Sequence, residues 1–163
     1  MNKDIFSRLI APATLVLTVI FSCTAFAAGS ASYRDKNISE SFRNGSMLVE
    51  YEMYEDAITY LNRADSEDPN NADVHNLLGF SYRKLGKYET AYRHYQKALS
   101  IDPEHRGALE YLGELYVETG QLGKAKQQLA RLDSACTLKC SEYKKLKQLI
   151  EEKTRLTTDA TKQ

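Results

Sequence analysis

The sequence predicts an all-α fold: a superhelix of three helix-turn-helix units closed by a C-terminal capping helix. Three observations predict it. Gly45, Gly79 and Gly113 stand 34 residues apart, a fixed period that marks stacked supersecondary units. Breakers are scarce, with Gly 8 and Pro 3 in 163 residues. Straight-chain helix formers fill what lies between. The same step relates Ala57, Ala91 and Ala125; Tyr54, Tyr88 and Leu122; Leu61, Tyr95 and Leu129; and Pro69 with Pro103. The length fits one domain with a modest core.

The chain opens with MNKDIFSR, carrying Lys3 and Arg8, then an apolar run from Leu9 to Phe21, then small residues ending in Ala25-Phe26-Ala27. That is the layout of a secretory signal peptide over 1–27, cleaved before Ala28; the run is short for a membrane span. The rival readings are an uncleaved anchor and a lipidated Cys23, the latter disfavoured by bulky Phe21 where lipoprotein signals prefer a small residue. The arrangement looks bacterial, so the expected location is periplasmic or secreted, with no membrane span in the mature chain. Residues 28–37 read as a linker.

The first unit spans 38–71, the second 72–105 and the third 106–139. In each, a first helix carries a small residue where a neighbour crosses closely (Gly79, Gly113). Gly86 and Gly120 end that helix, because glycine takes the left-handed conformation a helix terminus needs. The second helix keeps a shallow contact face through Ala91 and Ala98, and Asp102-Pro103 closes the unit. Next, SEYKKLKQLIEEKTRL places Tyr143, Leu146, Leu149 and Ile150 on one face, a helix over 140–157 with Ser141 as N-cap that covers the last apolar surface. Residues 158–163 read as a polar, disordered tail.

These motifs resemble the tetratricopeptide-repeat (TPR) family. LLGFSYRKLGKYETAYRHYQKALSIDP matches its pattern at Leu78, Gly79, Tyr82, Gly86, Tyr88, Ala91, Tyr95, Ala98 and Pro103. The third copy matches at Leu112, Gly113, Tyr116, Gly120, Ala125 and Leu129. The first is degenerate, with Asn44 where a leucine is expected. The resemblance covers residues 38 to 135 and implies a right-handed superhelix whose first helices line a concave groove for extended or helical segments of partner proteins. The residues it places there are Phe42, Arg43, Asn76, Phe80, Arg83, Lys84, Tyr111, Glu114 and Glu118, with Ser46, Val49, Glu50, Leu77, Glu110 and Val117 beside them. Phe42, Phe80 and Tyr111 form an aromatic stripe, and aromatics and arginine anchor interfaces; the alternative for each ring is packing against a neighbouring repeat. The Lys, Asn and Arg set with which chaperone co-factors of the family grip a C-terminal carboxylate is replaced here by Phe42, Ser46, Leu77, Gly107 and Tyr111.

The third unit ends in a loop with two cysteines, Cys136 and Cys140, where the period would put a proline at Thr137. In an oxidising compartment such a pair forms a disulfide, closing the loop that lacks its proline turn. The rival is a thiol-redox or metallocentre-assembly site, although His75, His94 and His105 are scattered without ligand spacing.

The remaining signals exclude function classes. Lys+Arg 22 balance Asp+Glu 22, which is not the basic footprint of a nucleic-acid binder. No G-x-S-x-G, phosphate loop or nucleophile with a base is present, so no enzyme and no cofactor is expected. The reading is a non-catalytic scaffold or adaptor for a protein or peptide partner. Three repeats lie near the minimum for independent stability, which leaves room for a homodimer.

Overall fold

The computed structural model describes residues 39–160. The signal peptide, the linker, Cys23 and residues 161–163 lie outside that range. Seven helices follow one another: α1 Glu40–Glu50, α2 Tyr54–Glu67, α3 Ala72–Lys84, α4 Tyr88–Ile101, α5 Arg106–Glu118, α6 Leu122–Ala135 and α7 Ser141–Ala160. No strand occurs among the described residues. The second helix of each pair repeats its bounds at the 34-residue step, Tyr54, Tyr88 and Leu122 each opening a helix of 14 residues.

The first helices are fixed at their N-termini by side chains that accept a free backbone N–H. Ser39 Oγ accepts from Phe42 N at 3.1 Å, Asn71 Oδ1 from Val74 N at 3.3 Å and His105 Nδ1 from Ala108 N at 3.1 Å. His105 also sets its Nε2 against Asp73 Oδ1 at 2.9 Å. The Nε2–H tautomer satisfies both bonds.

Each first helix ends in the same turn. A six-to-one bond runs from Met53 N to Leu48 O, from Lys87 N to Tyr82 O and from Gln121 N to Tyr116 O. That turn requires a left-handed residue, supplied by Gly86 (φ 71) and Gly120 (φ 76) and, in the first unit, by Glu52 (φ 59).

Close helix crossing explains the other periodic glycines. A Cβ at Gly45 would lie 2.8 Å from Leu61 Cδ2, and at Gly79 2.6 Å from Tyr95 Cε1. At Gly113 it would lie 2.4 Å from Leu146 Cδ2. In the third unit the nearest neighbour thus comes from α7 rather than from Leu129, the periodic counterpart of Leu61 and Tyr95. Helix α7 packs on both α5 and α6 and buries Leu146 and Ile150 there, so it closes the stack.

Two features of α7 depart from the sequence reading. The Cys140 carbonyl accepts the Lys144 N–H at 3.2 Å, so helical bonding begins from Cys140 and Ser141 already lies inside the helix. The helix also runs through Ala160, into the segment read as tail, where the Thr157 and Thr158 hydroxyls donate back to Thr154 O. Such back-bonding lets threonines satisfy themselves within a helix.

Candidate functional site: the groove of the first helices

The first helices form one surface. The backbones of α1 and α3, and of α3 and α5, approach each other closely, whereas those of α2, α4 and α6 stay apart among the described residues. The stack therefore curves with α1, α3 and α5 on its inner side. Residues four apart on these helices recur on that side.

Across α3 and α5 the inner face reads as a ladder. Asn76 lies opposite Gly107, where an added Cβ would come 3.0 Å from Asn76 Nδ2. One turn on, the Phe80 and Tyr111 rings meet at 4.8 Å between centroids. After them Arg83 reaches across from α3, its Nη2 donating to Glu114 Oε2 at 2.6 Å and its Nη1 to Glu118 Oε1. The Lys84 Nζ stands 5.8 Å from the Phe80 centroid.

The structure brings together Phe80, Tyr111, Arg83, Lys84, Glu114 and Glu118. It adds Tyr54, whose ring meets Phe80 edge-on at 6.1 Å; its periodicity with Tyr88 was the available signal. Phe42 instead packs against the cluster of Ala57, Leu61, Ala64, Val74 and Leu78, and Arg43 is exposed at the N-terminal end. Phe80 and Tyr111 are half-buried, so each ring both packs against its neighbour and presents a face.

Arg83 departs from the role expected of an accessible groove residue. It is 6% exposed, and both ends of its guanidinium fork are engaged by α5. Burial opposes its charge, but Tyr95, Glu114 and Glu118 outweigh that and hold its pKa above the ordinary arginine value. Arg83 also lies 5.4 Å from the Phe80 centroid and 5.7 Å from that of Tyr111. It ties α3 to α5 beneath the aromatic pair.

Two acceptors on this face lack a hydrogen bond. Asn76 is 7% exposed and Glu110 3%, and neither Asn76 Oδ1 nor Glu110 Oε1 has a hydrogen-bond partner. The Lys145 Nζ of α7 comes within 3.5 Å of Glu110 Oε1 as an ion pair. Burial raises the Glu110 pKa, Lys145 pulls it back, and Glu114 and Glu142 raise it further.

Away from the groove, Cys136 and Cys140 have their Cα atoms 5.6 Å apart, within the span a disulfide bridges. Cys136 is buried in the C-terminal core and Cys140 packs on that core's edge. Lys139, between the two cysteines, adopts φ 42 and places its Nζ 4.4 Å from the Tyr143 centroid. The histidines are not all scattered: His94 stacks on His75 at 5.8 Å and on Tyr82 at 5.3 Å. Among the described residues, no three His, Cys, Asp or Glu side chains group as metal ligands, and no helix is long and apolar enough to cross a membrane.

Residues 72–105 match the family model described as tetratricopeptide repeat. The chain is 27% identical to the uncharacterized protein ycf37 of Guillardia theta, over 69% of this chain and 72% of that one. Its fold is similar to the TPR2B domain of yeast Sti1, solved as a complex with pHsp70, with a TM-score of 0.66 and 15% identity over 72% of this chain and 95% of that one. It is also similar to the first TPR of Spaghetti (RPAP3), bound to the HSP90 peptide SRMEEVD, with a TM-score of 0.61 and 17% identity over 69% and 89% of the two chains. Residues 72–105, which hold α3 and α4, are thus a tetratricopeptide repeat, the flanking pairs repeat its turns and glycines, and the fold is that of solved TPR domains.

Proposed function

We propose that this chain is a non-catalytic adaptor that holds a segment of a partner polypeptide against the inner face of α3 and α5. The observation that carries the reading is the Phe80–Tyr111 pair, two half-buried rings meeting at 4.8 Å on a face flanked by Lys84, Glu114 and Glu118. Such amphipathic, rigid side chains anchor interfaces, and structurally similar TPR domains are solved with peptides bound. Arg83 supports the site from beneath, so it is unsuited as a binding probe. The test is a photocrosslinking residue in place of exposed Lys84, in the cell. A discrete polypeptide captured there, and lost when Phe80→Ala is added to a chain that still folds, supports the adaptor. Capture unaffected by Phe80→Ala, or none at all, refutes it.

The Cys136–Cys140 pair acts in this reading as a staple between α6 and α7. Its position at the core edge favours that over a thiol-active site, which needs an exposed thiolate. Closing a five-residue loop is worth at most about 2 kcal/mol, so Cys136→Ser with Cys140→Ser lowers stability by no more than that and leaves capture at position 84 intact. Capture that requires the cysteines would transfer the function to them.

The signal-like residues 1–27 support work in the periplasm or outside the cell. Edman sequencing of the exported product decides this: a start at Ala28 agrees, and a blocked start at Cys23 means lipid anchoring. Sedimentation over a range of concentrations tests for a homodimer.

A further inference from the structure

We propose that the groove selects a partner segment bearing a cationic side chain, Arg or Lys, which docks between the acceptors of Asn76 and Glu110. The inference rests on the groove reading above and names the chemistry of its occupant.

Asn76 and Glu110 stand 34 residues apart and so occupy the same position of consecutive repeats. Each is more than nine-tenths buried and each holds an oxygen without a hydrogen bond, Asn76 Oδ1 and Glu110 Oε1, the latter only ion-paired with Lys145 at 3.5 Å. The equivalent place in the first unit is Phe42, so the feature is confined to the α3–α5 part of the groove. A buried acceptor without a donor is unfavourable, and a carboxylate more so. A ligand that brings N–H groups removes that penalty on binding, which is a strong source of selectivity.

Charge points the same way. Glu110, Glu114 and Glu118 lie along one side of α5, one turn apart. The two cations facing them are already placed. Arg83 is committed to Glu114 and Glu118. Lys145 approaches Glu110 only at 3.5 Å, from a side chain 64% exposed, and a long exposed lysine is readily displaced. The aromatic rings also take cations, as Arg83 and Lys84 near the Phe80 centroid at 5.4 and 5.8 Å show. In SRMEEVD, held by the similar TPR domain, one arginine stands among three acidic side chains, which these carboxylates would repel.

The experiment is fluorescence anisotropy of the full chain with two labelled probes, SAMEEVD, which lacks the arginine of SRMEEVD, and its charge-inverted counterpart SAMKKVK. The cationic probe binds tighter by about tenfold or more, the scale of one charged hydrogen bond in a buried site, and its affinity falls with added salt. Glu110→Gln, which keeps the side chain's size, abolishes the preference. Lys145→Ala strengthens binding of SAMKKVK, because it removes the competitor; a merely structural Glu110–Lys145 pair predicts no gain. Equal affinities, tighter binding of SAMEEVD, binding of neither probe, or a preference that survives Glu110→Gln overturns the proposal. The adaptor reading fails separately, through Lys84-position crosslinking that captures no partner or ignores Phe80→Ala.

Discussion

At the scale of single residues, the groove separates side chains that build it from side chains that present it. Arg83 builds it. Replacing it with methionine keeps much of the bulk but leaves Glu114 facing an apolar group. Removing one partner of a buried ion pair costs about 3 kcal/mol, and urea unfolding of Arg83→Met reads that loss directly; a change under about 0.5 kcal/mol, as at an exposed pair, would contradict its structural role. Glu52 is the reverse case. It holds φ 59 where the other two units have glycine, and left-handed backbone is costly for a side-chain-bearing residue. Glu52→Gly therefore stabilises by about 0.5–1 kcal/mol, the strain relieved less the added freedom of the unfolded glycine. Glu110 links stability to pH. Burial raises its folded pKa despite Lys145, while Glu114 and Glu142 add to the rise. Its contribution is complete below the unfolded value and declines as pH climbs through the folded one. Glu110→Gln, which cannot ionise, thus melts higher than the parent near pH 7, and the two melting temperatures converge below about pH 4. Much of this was visible beforehand. The resemblance to the tetratricopeptide-repeat family placed Phe80, Tyr111 and Lys84 on one face. That Arg83 is consumed internally was not visible, because it depends on how far α3 approaches α5. The i, i+4 pair Glu114 and Glu118 was the available hint.

At the scale of elements, the repeat specifies first and second helices by different means. First helices begin at side-chain caps and end at a left-handed residue; none of the second helices has a side-chain cap, and their shared bounds follow from the turn before them. The sequence reading located these helices because glycine and alanine mark where backbones meet. It misplaced the end of α7, because threonines in a polar tail satisfy their hydroxyls within the helix. Helix α7 is also where the third unit differs: Leu146 fills the space beside Gly113 that a second-helix residue fills in the other units. Leu146 is fully buried. Leu146→Ala removes that contact and leaves α5 and α6 imperfectly covered, costing about 2–5 kcal/mol. Gly113→Ala tests the same crossing from the other side, since its Cβ forces Leu146 to move, at about 1–3 kcal/mol. If thermal melts show Leu146→Ala unchanged, α7 is not the cap of this stack.

At the scale of the whole molecule, the apolar interior is divided. One cluster holds Ala57, Leu61, Ala64, Val74 and Leu78, and the other runs from Ala91 to Ile150 across α4 to α7. Tyr82 packs against both and stacks on His94 at 5.3 Å, so it joins the N-terminal pair to the remainder. A stacked-repeat protein is stabilised by each unit and by its contacts with neighbours, and the first unit has a neighbour on one described side alone. Its second helix lacks a side-chain cap and its turn carries the strain at Glu52. Local opening of α1 and α2 is therefore less costly than opening of α5, which is covered by both α6 and α7. Hydrogen exchange read by mass spectrometry should find α1–α2 amides exchanging well before those of Leu109 to Tyr116. Tyr82→Ala cuts the link between clusters, lowering the stability of α1–α2 by about 2–3 kcal/mol for a half-buried aromatic while leaving α5–α6 protection nearly intact. The thermal transition then splits or broadens. Loss of protection spread evenly over all seven helices would mean instead that the stack unfolds as one unit. In that case Tyr82 would be an ordinary core residue, with coupling between the clusters carried along the helices themselves.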